Sequence, residues 1–204
     1  MQRIGVLLAA GESRRFGRPK QLLPWPPNSE NTKSLVAAAF DAIARVCDEM
    51  FVVLGHEADD VMSALAGRKF RYYQFGEPGS MFRSTIVGLA VGRLRCDELF
   101  EVPTQLLLHL SDHPQVRLDT LQSLIAAANE QPDVAVIPQY RGRGGHPVLI
   151  PHCVAKLICG FHGRGGLRQF WVEHPQLCVR LPVDDPGVVF DVDTQADYDF
   201  YSAS

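Results

Sequence analysis

Short apolar runs alternate with amphipathic stretches along most of the chain. The apolar runs have the length of buried strands, and we predict β-strands over residues 4–10, 50–54, 70–74, 105–110 and 134–138. The stretches between them place apolar residues at helical spacing, and we predict helices over residues 34–46, 57–66, 81–94 and 118–130. This alternation predicts an α/β fold with a mostly parallel sheet that helices cover on both faces.

The first apolar run ends in small residues, and a basic loop follows it. Ala9, Ala10 and Gly11 let a ligand approach the backbone, and Gly11 can adopt dihedral angles that other residues avoid. Backbone N–H groups beyond Gly11 can bind phosphate oxygens. The loop also carries four cations, which are Arg14, Arg15, Arg18 and Lys20. Because ligands of α/β sheets bind beyond the carboxyl ends of the strands, we interpret this segment as a phosphate-binding loop.

Two common phosphate loops do not fit this segment. The dinucleotide fingerprint needs three glycines, whereas the loop has only Gly11 and Gly17. The Walker A loop needs a lysine directly after its last glycine, but Arg18 and Pro19 stand before Lys20. Proline disfavours helical dihedral angles at the residue before it, so we do not expect a helix to begin at Lys20. Neither the dinucleotide site of a hydride-transfer enzyme nor the loop of a P-loop ATPase therefore fits this segment.

An aspartate follows the apolar run at residues 105–110. Asp112 would lie at the same edge of the sheet as the basic loop. Pro114 and Gln115 separate it from the next helix, which favours a metal ligand over a helix cap. A carboxylate that faces phosphates needs a cation between them, and Mg²⁺ is the usual one.

A second acidic segment lies near the end of the sequence. Asp191 and Asp193 alternate, so they share one face if this segment is extended. Thr194 and Asp197 have the spacing of a capping box, which predicts that a helix begins here and that Asp197 is structural.

The loop pattern L-A-A-G-x-S-x-R-x-G-x-P-K resembles the signature loop of nucleotidyltransferases that make activated cofactors and sugars. It is most similar to the MobA/MocA-like family, in its molybdenum cofactor cytidylyltransferase-like branch. The resemblance implies a three-layer Rossmann-like fold and Mg²⁺-dependent transfer of a nucleotide from an NTP to a phosphorylated acceptor. The residues that it implies for the nucleotide are Leu8, Ala9, Ala10, Gly11, Ser13, Arg15 and Lys20. Of these, Arg15 and Lys20 have the catalytic roles.

The same resemblance extends to the acidic segments. The sequence L-S-D-H-P is similar to the family's L-G-D-x-P, whose aspartate binds magnesium, with Ser111 in place of the glycine. The sequence D-V-D-T-x-x-D-Y resembles a family motif in which one acid completes the metal site. The implied Mg²⁺ ligands are Asp112 and Asp193, with Asp191 as the alternative to Asp193.

The acceptor side matches the family less closely. The segment G-x-x-G-H-P-V implies that Gly145 and His146 contact the acceptor, and Ser84 aligns with a family serine. Phe82 and Arg83, and the segment 160–168, depart from the family pattern. Ala10 resembles cytidylyl-transferring relatives, so CTP is the favoured nucleotide. The family implies molybdopterin as the acceptor, and a molybdoenzyme or its chaperone as a protein partner.

Composition narrows the class of protein. We expect one domain over residues 1–204 in a chain of this length, and the net charge of -3 gives no reason to expect nucleic-acid or membrane binding. The sequence shows no signal-peptide layout and no apolar run that could span a bilayer, so we expect a soluble cytoplasmic protein.

Five scattered cysteines without a C-x-x-C pair argue against structural zinc and a disulfide framework, and we expect most to be buried.

Two other functions compete with molybdopterin cytidylyl transfer. The first is a transferase of the same fold that acts on a different phosphorylated small molecule. The second is a catalytically weak nucleotide-binding chaperone of a cofactor pathway. The presence of Arg15, Lys20, Asp112 and Asp193 together argues against the chaperone, because binding alone does not need both acids.

Overall fold

A mixed β-sheet forms the centre of the fold. The computed structural model describes residues 1–11, 13, 16–55, 57–74, 81–98, 103–163 and 165–202. Across the sheet the strands lie in the order β10 (Cys178–Pro182), β7 (Ala135–Tyr140), β9 (Val148–Pro151), β6 (Thr104–Leu110), β1 (Gln2–Ala9), β4 (Glu49–Leu54) and β5 (Arg71–Gln74). The short strand β8 (Arg143–Gly144) pairs with β7, and β2 (Pro24–Trp25) pairs with β3 (Lys33–Ser34) in a separate ribbon.

Helices connect most of these strands. They are α1 (Leu35–Ala44), α2 (Ala58–Ala64), α3 (Met81–Glu98), α4 (Leu118–Glu130), α5 (His152–Cys159), α6 (Gly166–Glu173) and α7 (Gln195–Ser202). Short 3₁₀ turns occur at Lys20–Leu22, Pro175–Leu177 and Pro186–Val188.

Strand direction places several loops at one edge of the sheet. Strand β1 runs parallel to β4 and β6, and β4 runs parallel to β5. Strand β9 is antiparallel to both β6 and β7, so β7 and its partner β10 have the same direction as β6. The carboxyl ends of β1, β4, β5, β6, β7 and β10 therefore share one edge, which we call the carboxyl edge.

Side chains alternate between the two faces of the sheet, and each face carries its own helices. Along β1, Leu7 and Ala9 pack on the face that α1, α2 and α4 cover, together with Val36, Val61 and Leu121. The other side chains of this strand pack under α3, α5 and α6, in a cluster that includes Ile4, Val6, Leu8, Leu89, Val154 and Phe170. The result is a three-layer α/β/α arrangement, as the sequence predicted.

The predicted elements differ from the structure mainly at their ends. The helix predicted over 118–130 has these bounds, whereas the one predicted over 81–94 continues to Glu98. The strands β9 and β10 and the helices α5 and α6 were not predicted. Each of them is short, so hydrophobic periodicity gives little information about its type, and β9 also follows directly after a glycine-rich turn.

One local expectation was wrong. A single 3₁₀ turn does begin at Lys20, because Pro19 restricts only the residue before it and leaves the residues after it free to turn. After this turn the chain enters the short ribbon, where Trp25 lies in β2 and is buried.

The cysteines are also less buried than expected. Cys47, Cys153, Cys159 and Cys178 are unpaired in the described part of the chain; Cys153 is exposed and the other three are half-buried. None of the described helices has the length and apolar character that a membrane crossing requires.

Candidate active site

The segments that leave β1 and β6 meet at the carboxyl edge. These strands are neighbours, with Leu8 opposite Leu110, and the Ser111 N–H donates to the Leu8 carbonyl at 3.1 Å. The basic loop leaves from the end of β1, and Asp112 follows the end of β6. The strand order thus brings the loop and the first aspartate together.

Lys20 lies at the centre of this edge. Its side chain is only 10% exposed, and its Nζ donates to Asp112 Oδ2 and to Asp193 Oδ1, at 2.7 Å each. Three segments that are far apart in the sequence therefore meet at one ammonium group. The structure brings together three of the predicted site residues.

The charges of these three residues depend on one another. Burial by itself lowers the pKa of the Lys20 ammonium, but the charges and hydrogen bonds of Asp112 and Asp193 outweigh it and leave the pKa above its usual value. Lys20 is therefore charged at neutral pH. Removing one side of a buried ion pair typically costs about 3–5 kcal/mol, because the remaining charge is left unpaired.

Asp112 has one further oxygen available. Its Oδ1 is buried and has no hydrogen-bond partner among the described residues, and His113 Nε2 lies 3.9 Å away from it. A buried carboxylate oxygen without a partner is unusual, since such atoms are nearly always satisfied. This oxygen is free to bind a cation or a ligand donor.

Backbone contacts hold Asp193 beside Asp112. The Val192 N–H donates to the Asp112 carbonyl at 3.1 Å. The Asp197 carboxylate accepts from the N–H groups of Asp193 and Thr194, and the Asp197 N–H donates back to Thr194 Oγ1. This reciprocal pair is the predicted capping box at the start of α7, and it orients Asp193 toward Lys20.

The carboxylate of Asp191 is affected by the charges of the same neighbouring residues. Loss of hydration and then the negative charge of Asp193 raise its pKa, and Asp112 raises it further, while His113 opposes the shift. The choice between Asp191 and Asp193 as a metal ligand stays a prediction, but Asp193 is the one that binds Lys20.

Helix α7 also packs against the basic loop, in a contact that we call the α7 clasp. Arg18 donates to Gln195 at 3.3 Å and lies over the Phe16 ring. The Tyr198 ring packs edge-on against Phe16, and its hydroxyl donates to the Pro24 carbonyl at 2.6 Å. Arg18 therefore has a structural role, unlike the neighbouring Lys20.

The basic loop is held from inside by two polar side chains. Gln21 is buried and contacts Gly11 and Ser13, and Ser13 also accepts from the Lys20 N–H. Ser13 is predicted from the sequence, but Gln21 is not. The one sequence feature that indicates a role for Gln21 is its position as a polar residue between Lys20 and the apolar residues that follow.

The other predicted nucleotide contacts differ in accessibility. The side chains of Leu8 and Ala9 are buried in the core, so only their backbone can face a nucleotide. Gly11 is exposed and Ala10 is half-buried. Arg15 lies outside the described residues, so its predicted role stays a prediction.

His146 belongs to a row of three imidazole rings behind Asp112. The ring centroids of His109 and His113 lie 6.1 Å apart, and those of His113 and His146 lie 5.8 Å apart. Burial, followed by the charge of His113, lowers the pKa of His146 to about 4. The His146 ring is therefore neutral at neutral pH, and it can offer a phosphate a hydrogen bond but no charge.

Ser84 is buried in the first turn of α3. Because α3 follows the parallel strand β5, its N-terminus lies at the carboxyl edge. The fold thus places Ser84 at the predicted end of the sheet, and its contact with an acceptor stays a prediction.

Comparison with known proteins identifies the family. Residues 5–177 match the MobA-like NTP transferase domain. The chain belongs to this family. It is 28% identical to the nicotine blue oxidoreductase of Paenarthrobacter nicotinovorans, over 93% of this chain and 91% of that protein. It is 22% identical to the molybdenum cofactor cytidylyltransferase of Escherichia coli K12, over 95% and 92% of the two chains.

Solved structures agree with this assignment. Rv0371c from Mycobacterium tuberculosis H37Rv superposes with a TM-score of 0.77 at 30% identity, over the full length of both chains. A second structure of Rv0371c is a complex with manganese, and it matches with a TM-score of 0.77 at 28% identity. The predicted α/β nucleotidyltransferase fold is confirmed.

The described residues of this MobA-like transferase contain no cluster of three or more His, Cys, Asp or Glu side chains that could hold a metal. Asp112 and Asp193 provide two carboxylates at the carboxyl edge. Two protein ligands suit Mg²⁺, which usually keeps waters and takes further oxygens from substrate phosphates.

Gly145 is fixed by close backbone packing on the acceptor side of this transferase fold. Its N–H donates to the Pro138 carbonyl at 2.9 Å, and a Cβ at this position would overlap the Val188 carbonyl. The same carbonyl accepts from the His146 N–H at 2.7 Å. Gly145 therefore allows the turn that presents His146 to come close to the 3₁₀ turn at Pro186–Val188.

We predict that Gly145→Ala destabilises the protein by about 1–3 kcal/mol or more, the cost of overpacking, since backbone atoms must shift to accept the methyl group. The matched control is Gly160→Ala, whose Cβ would lie at an ordinary 3.6 Å from the Leu157 carbonyl. Urea denaturation of both variants measures the free energy of unfolding. An equal, small loss in both would contradict the close packing of Gly145.

Proposed function

We propose that this protein is a divalent-metal-dependent nucleotidyltransferase that transfers a nucleotide, CMP in the favoured case, from an NTP to a phosphorylated small molecule. The observation that carries the proposal is the Lys20 ammonium, bound to Asp112 and Asp193 directly after the signature loop. Family membership supports nucleotidyl transfer, and the site supplies both the cation and the carboxylates that this chemistry uses.

The reaction is a substitution at phosphorus. An oxygen of the acceptor phosphate forms a bond to the α-phosphorus of the NTP. The bond between that phosphorus and the oxygen bridging to the β-phosphate breaks, and pyrophosphate leaves with the electron pair. Such a reaction depends on orientation and on charge neutralisation, and it needs no covalent enzyme intermediate.

Lys20 and the loop act on the triphosphate. Backbone N–H groups after Gly11 would hold phosphate oxygens, and Arg15 would add a bidentate contact. Lys20 would leave one or both carboxylates to stabilise the charge that builds up on the α-phosphoryl oxygens. Its compact ammonium suits this role.

Asp112 and Asp193 fit a divalent cation. Asp112 Oδ1, which has no hydrogen-bond partner among the described residues, is a hard oxygen ligand, and Asp193 adds a second carboxylate. A bound Mg²⁺ or Mn²⁺ would neutralise phosphate charge and orient the reacting groups. The manganese complex of Rv0371c supports a divalent metal in this fold without favouring Mg²⁺.

CTP is the favoured nucleotide and molybdopterin the favoured acceptor. Ala10 supports CTP, and the similarity to the molybdenum cofactor cytidylyltransferase of E. coli supports both choices. Ser84, Gly145 and His146 would contact the acceptor. In this assignment the chain acts as one domain in the cytoplasm, and a molybdoenzyme or its chaperone receives the product.

A transferase for another phosphorylated acceptor is the second candidate. The similarity to a nicotine blue oxidoreductase supports a small molecule other than molybdopterin, while the name of that relative describes oxidation and reduction and not nucleotidyl transfer. A binding-only chaperone is disfavoured, since nucleotide binding alone does not need Lys20 between two carboxylates.

A thermal-shift screen with CTP, GTP, ATP and UTP tests the proposal. With Mg²⁺ or Mn²⁺ present, a nucleotide that binds the folded state raises the melting temperature, and we expect CTP to raise it most. A larger shift with GTP would reassign the nucleotide. No shift with any NTP would contradict the proposed activity.

We predict that Lys20→Arg lowers the rate of nucleotidyl transfer by at least about 10²-fold, the typical loss when one charge-stabilising donor is misplaced. Arginine keeps the positive charge and thus the ion pairing, but not the compact ammonium. Transfer is measured as pyrophosphate release with CTP and molybdopterin. Circular dichroism checks that the variant is folded.

Lys33→Met is the control for this substitution. Lys33 lies in β3 and pairs at 2.6 Å with Asp41 of α1, not with either carboxylate of the site, so its loss should leave the transfer rate unchanged. Wild-type turnover in Lys20→Arg would remove Lys20 from the catalytic machinery.

We further predict that Lys20→Met strengthens Mn²⁺ binding in the absence of nucleotide by about tenfold or more, equivalent to ~1.4 kcal/mol. The Lys20 ammonium neutralises the two carboxylates that the metal would use, so removing it leaves them free to attract the metal. Titration followed by electron paramagnetic resonance measures free Mn²⁺.

The double variant Lys20→Met with Asp112→Asn should lose this gain. If Lys20→Met binds Mn²⁺ no more tightly than the wild type, the ammonium and the metal do not compete for these carboxylates. If Asp112→Asn binds Mn²⁺ as the wild type does, the metal is held elsewhere.

A further inference from the structure

A single buried glutamine connects the beginning and the end of the basic loop. Gln21 is 1% exposed, and its Nε2 donates to the Gly11 carbonyl at 2.6 Å. Its Oε1 accepts from Ser13 Oγ at 2.9 Å, and the same Oγ accepts from the Lys20 N–H at 3.0 Å. Three hydrogen bonds thus join Gly11, Ser13 and Lys20 through one side chain and one hydroxyl.

Each of these bonds joins a donor to an acceptor and is partly removed from water. The glutamine donates with its amide nitrogen and accepts with its amide oxygen, so each end has a partner of the right kind. The Ser13 hydroxyl donates to Gln21 and accepts from Lys20. Because Gln21 is buried, losing either bond would leave a polar group without water to replace its partner.

The backbone of the loop needs this support. Ser13 has φ of 50°, in the left-handed region that residues other than glycine rarely adopt. Such a conformation costs free energy and persists only where the surroundings fix it. Here the two hydrogen bonds of the Ser13 side chain fix it, and Gln21 makes one of them.

We infer that Gln21 is a positioning residue for the nucleotide. It holds the Gly11 carbonyl inward and orients Ser13, so the exposed side of the loop is already shaped for phosphates before the ligand arrives. It also places the Lys20 backbone, from which the ammonium reaches Asp112 and Asp193. Gln21 is buried beneath the loop and does not touch the nucleotide. This inference rests on the proposed function.

The chain offers a matched control for a merely structural role. Gln105 is a second buried glutamine, 2% exposed, near the start of β6 and opposite Arg3. It lies at the amino end of its strand, so it is at the edge of the sheet away from Lys20. Replacing either glutamine by methionine keeps the length of the side chain. At Gln21 the change removes two hydrogen bonds, whereas Gln105 Oε1 has no hydrogen-bond partner among the described residues, so Gln105→Met changes a buried amide without breaking a contact.

The test compares Gln21→Met and Gln105→Met with the wild-type protein. Isothermal titration with CTP and Mg²⁺ measures nucleotide affinity, and urea denaturation measures stability. We expect Gln21→Met to weaken CTP binding by about tenfold or more, as losses of supporting residues around a site commonly do. Gln105→Met should bind CTP as the wild type does.

Ser13→Ala provides a second variant in case Gln21→Met does not fold. It removes the hydroxyl that joins Gln21 to Lys20 and keeps the bond to Gly11, so we expect weaker CTP binding here too. Where both fold, the double variant should bind CTP little worse than Gln21→Met alone, because the two residues act through one network.

Two results overturn the inference in different ways. If Gln21→Met, or Ser13→Ala in its place, binds CTP as tightly as the wild type, Gln21 does not position the loop, and the proposed function is unaffected. If the wild-type protein binds none of the four NTPs, the proposed function fails and the inference fails with it.

Discussion

The Lys20 ammonium joins two carboxylates from distant parts of the chain, and much of the architecture at the carboxyl edge serves this contact. Strands β1 and β6 must be neighbours for the loop and Asp112 to meet. Helix α7 must be capped at Thr194 for Asp193 to face inward. Because a buried charge without its partner is costly, each of these features is tied to the others by electrostatics as well as by packing.

Residues of the same type have different roles around this centre. Arg18 contacts the Phe16 ring and Gln195 and so holds the loop against α7, whereas Lys20 faces the carboxylates. His146 is neutral at neutral pH because its ring is buried beside another imidazole. The number of charged residues in the sequence does not reveal which of them bind the site and which hold the loop. That difference depends on which side chains the fold removes from water.

Much of the fold and part of the site could be predicted from the sequence. Parallel strands read as apolar runs, and their shared direction led to the expectation that the loop and Asp112 lie at one edge. Gln21 and the close contact of Gly145 with Val188 could not be predicted in this way. Both depend on backbone atoms of distant or irregular segments, which neither hydrophobic periodicity nor residue spacing describes. The short antiparallel strand β9 was missed because a four-residue apolar run has no diagnostic period.

The contact of Lys20 with Asp193, directly before α7, determines when the site can assemble during synthesis on the ribosome. Domains fold as the chain emerges, beginning at the N-terminus, and contacts between distant residues form late. Lys20 and Asp193 are 173 positions apart, and every strand of the central sheet precedes Asp193 in the chain. A nascent chain can therefore complete its sheet while Lys20 still lacks one of its two carboxylates. The pair of carboxylates around Lys20 is therefore complete only after Asp193 has been translated and the chain can fold back onto the loop.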